Sequence, residues 1–151
     1  MSGMRSILAL ALVAAAATGA CAASAGLDAA RAEPNLEKRS DLAMSNAVAA
    51  LKYARDAYRA GDSQMAMSKL EEVQESVELG YDALTKTGKD PRKSPKWFKR
   101  AEITTRDLLR SMDSFEHEMS FGDRGLLEKV REQVQQIHDN LLTGLMEGKH
   151  K

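Results

Sequence analysis

Four stripes of apolar residues, each recurring at steps of three and four, constrain this chain more than any other feature. That spacing follows one face of an α-helix, where about 3.6 residues make a turn, and it cannot line one face of a strand. The first stripe is Met44, Ala47, Val48, Leu51, Ala54 and Tyr58, in a helix predicted from about Asp41 to Ala60. Ala43, Ala50 and Ala57 add a small-residue edge that lets a neighbour come close. The second stripe, between about Gln64 and Thr87, is Ala66, Leu70, Val73, Val77, Tyr81 and Leu84. Glu71, Glu72, Glu75, Glu78 and Asp82 take its solvated side. The third follows Ser94-Pro95 and runs Phe98, Ala101, Thr105, Leu108, Met112, Phe115 and Met119, with Thr105 its one polar member. The fourth is Leu127, Val130, Val134, Ile137, Leu141 and Leu145.

The punctuation between stripes fits helices. Gly61 suits a helix C-terminus, and Asp62 or Ser63 the next N-cap. Gly88 stops the second helix, and Ser94-Pro95 caps and opens the third. Ser120 to Asp123 makes a short turn, and Gly144 and Gly148 loosen the end of the fourth helix. Each stripe covers one face only, so no helix is stable alone. Burying a large apolar side chain is worth roughly 1.5–3 kcal/mol. Ordering a residue's backbone costs about 1–2 kcal/mol. Only mutual burial of all four stripes can win. The first and third connections are too short for anything but antiparallel neighbours. The predicted fold is all-α: an antiparallel up-down-up-down four-helix bundle over residues 41–148, built from two long helical hairpins. Separate hairpins and a long-helix dimer are the alternatives.

Composition narrows the function. Aromatics are 5% of the 151 residues, which disfavours an all-β domain. A single cysteine leaves no internal disulfide and no multi-cysteine zinc site. Lys plus Arg and Asp plus Glu are 22 each, which argues against a generally basic nucleic-acid coat.

Met1 to about Ala25 reads as a secretory leader. Arg5 supplies the positive segment, and Ile7 to Val13 with the alanines to Ala17 the apolar one. Thr18-Gly19-Ala20-Cys21 resembles a bacterial lipobox, in which Cys21 is acylated and becomes the new N-terminus; Thr18 stands where leucine is usual. Ala20-Cys21-Ala22 and Ala23-Ser24-Ala25 are ordinary signal-cleavage sites that give a soluble product. The chain is therefore expected to be exported to the periplasm, with lipid anchoring to the outer membrane through Cys21 as one of two processing routes. Residues 22–40 are rich in Ala, Ser, Gly, Arg and Glu and predict a flexible linker, spanning about 25 Å as a coil.

No common catalytic or nucleotide-binding motif occurs. A non-enzymatic chain with no cofactor is the expectation. His117 lies between Glu116 and Glu118, and His138 beside the fourth stripe, both reading as solvent or rim histidines. Glu147-x-x-His150 has the spacing of a di-iron carboxylate motif, but it is the only such pair and lies in the glycine-containing tail. Residues 57–66 resemble one turn of a tetratricopeptide repeat, yet no second copy follows at the required period. A small exported helical bundle also resembles the four-helix b-type cytochromes, which would put Met44 and His138 at comparable places to their haem ligands.

Local charge says more than total charge. Lys86, Lys89, Arg92, Lys93, Lys96, Lys99 and Arg100 crowd one stretch in which Asp90 is the sole acid, with Trp97 and Phe98 inside it. Cations suit the C-terminal end of the second helix and are disfavoured at the N-terminal end of the third. A bound anion would relieve that mismatch, because helix N-termini carry free N–H donors. The bundle topology brings Arg31, Lys38 and Arg39, and the basic tail at 149–151, to the same end. Lys86, Lys89, Arg92, Lys93, Lys96, Trp97, Lys99 and Arg100 are thus the candidate contact residues for an anionic membrane surface, an envelope polyanion or an envelope protein. Export separates the chain from nucleic acid. A periplasmic small-ligand, metal or haem binder is the alternative function.

Residues 88–102, with Met119 to Arg124 and Val134 to Asp139, resemble a group of uncharacterised exported bacterial helical proteins. The resemblance covers roughly Asp41 to Gly148. It implies the architecture and carries over no functional residues.

Overall fold

The computed structural model describes residues 25–148. The leader at 1–21, the lipidation candidate Cys21 and the basic tail at 149–151 lie outside the described residues. The chain forms α1 (Ala25–Ala32), α2 (Leu36–Arg59), α3 (Ser63–Lys86), α4 (Pro95–Glu116) and α5 (Arg124–Glu147), with a 3-10 turn at Phe121–Asp123. It is all-helical, with no strand among the described residues. No helix among those residues is long and apolar enough to cross a membrane.

The boundaries follow local chemistry. Gly61 takes φ 82°, which favours glycine, and the Asp62 side chain then accepts from the Met65 N–H at 3.0 Å. Gly88, at φ 69°, lets the chain turn out of α3. Pro95 opens α4 as expected, but Ser94 makes no side-chain cap. Asp90 organises that loop instead. Its carboxylate accepts from the Arg92 N–H at 2.9 Å, and its carbonyl accepts from the Lys93 and Ser94 N–H groups at 3.1 and 2.9 Å.

α2 packs most extensively on α3, and α4 on α5; α2 also lies against α4, and α3 against α5. No Cα of α2 comes within 8 Å of one of α5 among the described residues. Asn46 reaches Ser76, and Arg131 reaches Asp113, so each hairpin is antiparallel. Arg100 meets Asp41 and Arg55 meets Ser114, so α2 and α4 run in the same direction. One end therefore gathers the start of α2, the end of α3, the 87–94 loop, the start of α4 and the end of α5. We call it the basal end.

The stripes close on one core. Leu70, Val73, Val77, Leu84, Met112, Phe115, Leu127, Val130, Val134 and Leu141 are all buried. The alanine edge of α2 is buried too, at Ala43 and Ala50. It faces α3 near Gly80, where an added Cβ would lie 2.9 Å from Met44 Cε and 3.3 Å from the Ser40 carbonyl. Val48 departs from its stripe and is 49% exposed, because the α3-facing alanines turn it outward.

The flexible linker predicted at 22–40 is overturned for its described part. α1 fills residues 25–32, and α2 begins at Leu36, five residues before the predicted start, with Asn35 capping it through the Lys38 N–H at 2.9 Å. α1 docks on α2 and α3 by burying Leu27 and Ala30, one helical turn apart. Gly26 is required there, since a Cβ would come within 2.2 Å of Asn46 Oδ1. The Asn46 amide is already committed to Glu72 and Ser76 at 3.0 and 2.9 Å, so it cannot simply swing away. Arg31 adds an ion pair to Glu75 at 2.8 Å. Two apolar contacts in eight residues are too few for a visible period.

At the far end, Glu118 is clamped by two arginines of α2. Arg59 Nε donates to Oε2 at 2.8 Å, and Arg55 Nε donates to Oε1 at 2.8 Å. Hydrogen bonds from Arg59 and then Arg55 hold the Glu118 carboxyl down at about 2. Beside it the Tyr58 hydroxyl donates to Asp123 Oδ2 and accepts from the Ser120 N–H, both at 2.9 Å. A carboxylate with a depressed pKa contributes stability above its unfolded value near 4.5 and loses that contribution as pH falls towards 2. The stability gap between the parent and Glu118→Gln should therefore be widest at pH 5 and shrink by pH 2. Denaturant melts at the two pH values would measure it.

Candidate functional site

The structure spreads the candidate contact residues over the basal end and divides them into two sets. Lys86 pairs with Asp82 on its own helix at 2.7 Å. Lys89 reaches Glu37 at 2.6 Å, and Arg100 reaches Asp41 at 2.6 Å. The last two pairs tie the loop and α4 to the first turns of α2. Asp90 is thus not the only acid near the basic stretch, because α2 brings Glu37 and Asp41 from another part of the chain. Lys38 and Arg39, expected to add to the patch, are held by Glu33 instead, through a 3.4 Å ion pair and a 2.8 Å bond to its carbonyl.

The second set has no such partners. Among the described residues, Arg92, Lys93, Lys96, Lys99 and Lys129 are the basic side chains that reach neither an acid nor a backbone carbonyl. All but Lys129 fall between residues 92 and 99. Elsewhere the chain compensates its cations, so their concentration here is a local property and not a reflection of overall charge. Trp97 does not project from the patch. It is half-buried against the core, with Lys96 Nζ 4.8 Å and the Arg100 guanidinium 5.8 Å from its ring centre. Such cation–π contacts keep both cations at the surface without neutralising them.

A cleft of about 370 Å³ opens beside this patch, between the end of α3, the 87–94 loop and the end of α5. Tyr81, Pro91, Phe98 and Leu141 give it apolar walls, and Asn140 and Thr143 polar ones. Gly144 makes the shape possible, since a Cβ there would stand 3.2 Å from Pro91 Cγ. The sequence pattern placed Tyr81 and Leu141 on core stripes and Gly144 in a loosened tail. It gave no signal that they share a cavity, because three separate elements build it.

The metal and haem alternatives find no assembled ligand set here. No group of three or more His, Cys, Asp or Glu residues placed to hold a metal ion occurs among the described residues. Met44 is buried against Gly80 of α3, and the His138 ring is turned to Thr105 of α4. His138 is a partly buried rim histidine: its side chain is 12% exposed, and Nδ1 lies 3.1 Å from the buried Thr105 hydroxyl. That hydroxyl also lies 3.0 and 2.9 Å from the carbonyls of Ala101 and Glu102, which accept. Thr105, the polar member of the third stripe, is thereby explained as the partner of His138.

The point at which the chain joins α1 also bears on any anchor. Gly26 sits against Asn46, ten residues and about 15 Å along α2 from its start at Leu36. The chain therefore meets the described fold at the side, where Arg31, expected at the basal end, pairs with Glu75 of α3. Four residues from Cys21 to Ala25 span at most about 14 Å. The chain matches no protein-family model, and a comparison with curated proteins finds no match either.

Proposed function

We propose that this chain is an exported, non-enzymatic helical module whose basal end lies against an anionic membrane surface or envelope polyanion. The observation that carries the reading is the gathering of Arg92, Lys93, Lys96 and Lys99, all without acidic partners, at one end of a molecule that pairs most of its other cations. Uncompensated cations on one face are attracted to anionic lipid by about 1 kcal/mol each. Lys89 and Arg100 play a different part, bracing the patch through Glu37 and Asp41 of α2, while Lys86 pairs within α3.

The architecture that suits this reading is an up-down-up-down four-helix bundle of α2 to α5, with α1 strapped across the first hairpin. The alternating direction of the helices supports it, with α2 beside α4 in parallel so that the two hairpins lie side by side. The leader-like segment supports export, and Cys21 supports acylation in an outer-membrane-anchored form. An acyl chain on Cys21 would tether the molecule from the side of α2, so the anchor and the basal patch stand as separate proposals. Membership of the exported bacterial helical group is part of the same proposal. The cleft favours a second reading, a small-ligand binder.

Co-sedimentation with vesicles tests the main reading. The protein should prefer vesicles containing anionic lipid to neutral ones, and the preference should fade as salt rises from 0.05 to about 0.5 M. Equal binding to both vesicle types at low salt would overturn it. Comparing the two types removes any contribution from an acyl group or a retained leader.

A further inference from the structure

Exposed carbon surface accompanies the unpartnered cations of the basal end. Met146 is 70% exposed and Leu142 40%, one turn apart near the end of α5. Ile103, on α4, is 45% exposed. α4 and α5 run antiparallel, with Asp113 beside Arg131 and Glu102 Oε1 4.0 Å from His138 Nδ1. One turn further towards the basal end, that pairing sets Leu142 beside Lys99, and the next turn sets Met146 beside Pro95 and Lys96. Lys96, Lys99 and Ile103 recur at steps of three and four, so they share one face of α4. Three apolar side chains and two unpartnered cations thus occupy one outer edge of the second hairpin. The acids nearby are engaged elsewhere. Glu102 lies between His138 and Arg106, Asp139 accepts from Gln135 at 2.9 Å, and Asp90 accepts from the backbone of its own loop. A soluble polyanion would pair with the cations and leave the carbon surface in water. A bilayer interface takes both, because its headgroups carry the charge and the acyl boundary beneath accepts apolar side chains.

We infer that the partner of the basal end is an anionic lipid bilayer, into whose interface Leu142, Met146 and Ile103 insert beside Lys96 and Lys99. This deepens the reading above and rests on its assignment of the basal charges. It chooses the bilayer over a soluble polyanion and gives the molecule an orientation, with the outer edge of α4 and α5 turned to the lipid.

Binding of the purified protein to anionic vesicles and to soluble polyphosphate, measured side by side at low salt, tests the inference. Polyphosphate supplies the charge without an apolar phase. The double variant Leu142→Ser/Met146→Ser should bind the vesicles roughly tenfold more weakly than the parent. Its binding to polyphosphate should stay within about twofold of the parent's, because no cation is changed. Met146→Ser alone, at the more exposed position, should cost roughly threefold on vesicles. Val48→Ser/Met67→Ser removes side chains of similar exposure from α2 and α3 and should leave vesicle binding unchanged. Circular dichroism must show the variants folded, and the single Met146 change guards against a folding defect at Leu142. Parent-like vesicle binding by the double and single variants would overturn the inference. So would equal losses on vesicles and polyphosphate, or an equal loss in the Val48/Met67 variant. If the parent prefers anionic to neutral vesicles while the serine changes do nothing, insertion is wrong and the charge reading stands. A parent without that preference removes both.

Discussion

Phe115→Ala should cost about 3–5 kcal/mol of folding stability, the usual range for emptying a buried aromatic site. Phe115 has no exposed surface and sits near the far end of α4. The Tyr58 ring meets it edge-on, with centroids 5.8 Å apart and planes at 71°. That geometry adds about 0.5–1.5 kcal/mol beyond simple burial. Removing the ring leaves a cavity and loosens Tyr58, whose hydroxyl organises the Ser120–Asp123 turn. The loss is a large part of the roughly 5–15 kcal/mol typical of folded domains. A calorimetric Tm lowered by about 10–20 °C is expected. A shift under about 3 °C would mean that the helices do not enclose this ring.

The second large effect concerns the basal end. Changing Arg92, Lys93, Lys96 and Lys99 together to glutamate removes four attractions of about 1 kcal/mol each and adds repulsion. Binding to anionic vesicles at low salt should fall by roughly a thousandfold, since about 1.4 kcal/mol is tenfold. Stability should hardly change, because none of the four side chains has an ion-pair partner to lose. The comparison set is Lys86, Lys89 and Arg100. Reversing Lys89 and Arg100 breaks the ties to Glu37 and Asp41 and should loosen the start of α4, visible as faster amide exchange there. Unchanged vesicle binding by the fourfold variant would show that the patch is solvated charge with no partner.

The helices were legible because large residues repeat regularly. Leu70, Val73 and Val77, or Val130, Val134 and Ile137, announce a face wherever they occur, and the structure buries all six. The caps at Gly61 and Asp62 were legible for the same local reason. α1 was not, because its docking depends on Leu27, Ala30 and the missing Cβ of Gly26, which only the Asn46 side chain makes significant. At the site, the basic stretch was visible as composition. Its division into braced and unpartnered cations was not, since Glu37 and Asp41 lie some fifty residues away in sequence. The cleft was hidden for a similar reason. It is lined from three separate parts of the chain, the end of α3, the 87–94 loop with the start of α4, and the end of α5.

Hydrogen exchange on protein bound to anionic vesicles tests the central claim most directly, because it reports which end touches the surface. The account predicts slowed exchange in residues 89–100 and no change in the turn at 117–123. Slowing at 117–123 with none at 89–100 would contradict it.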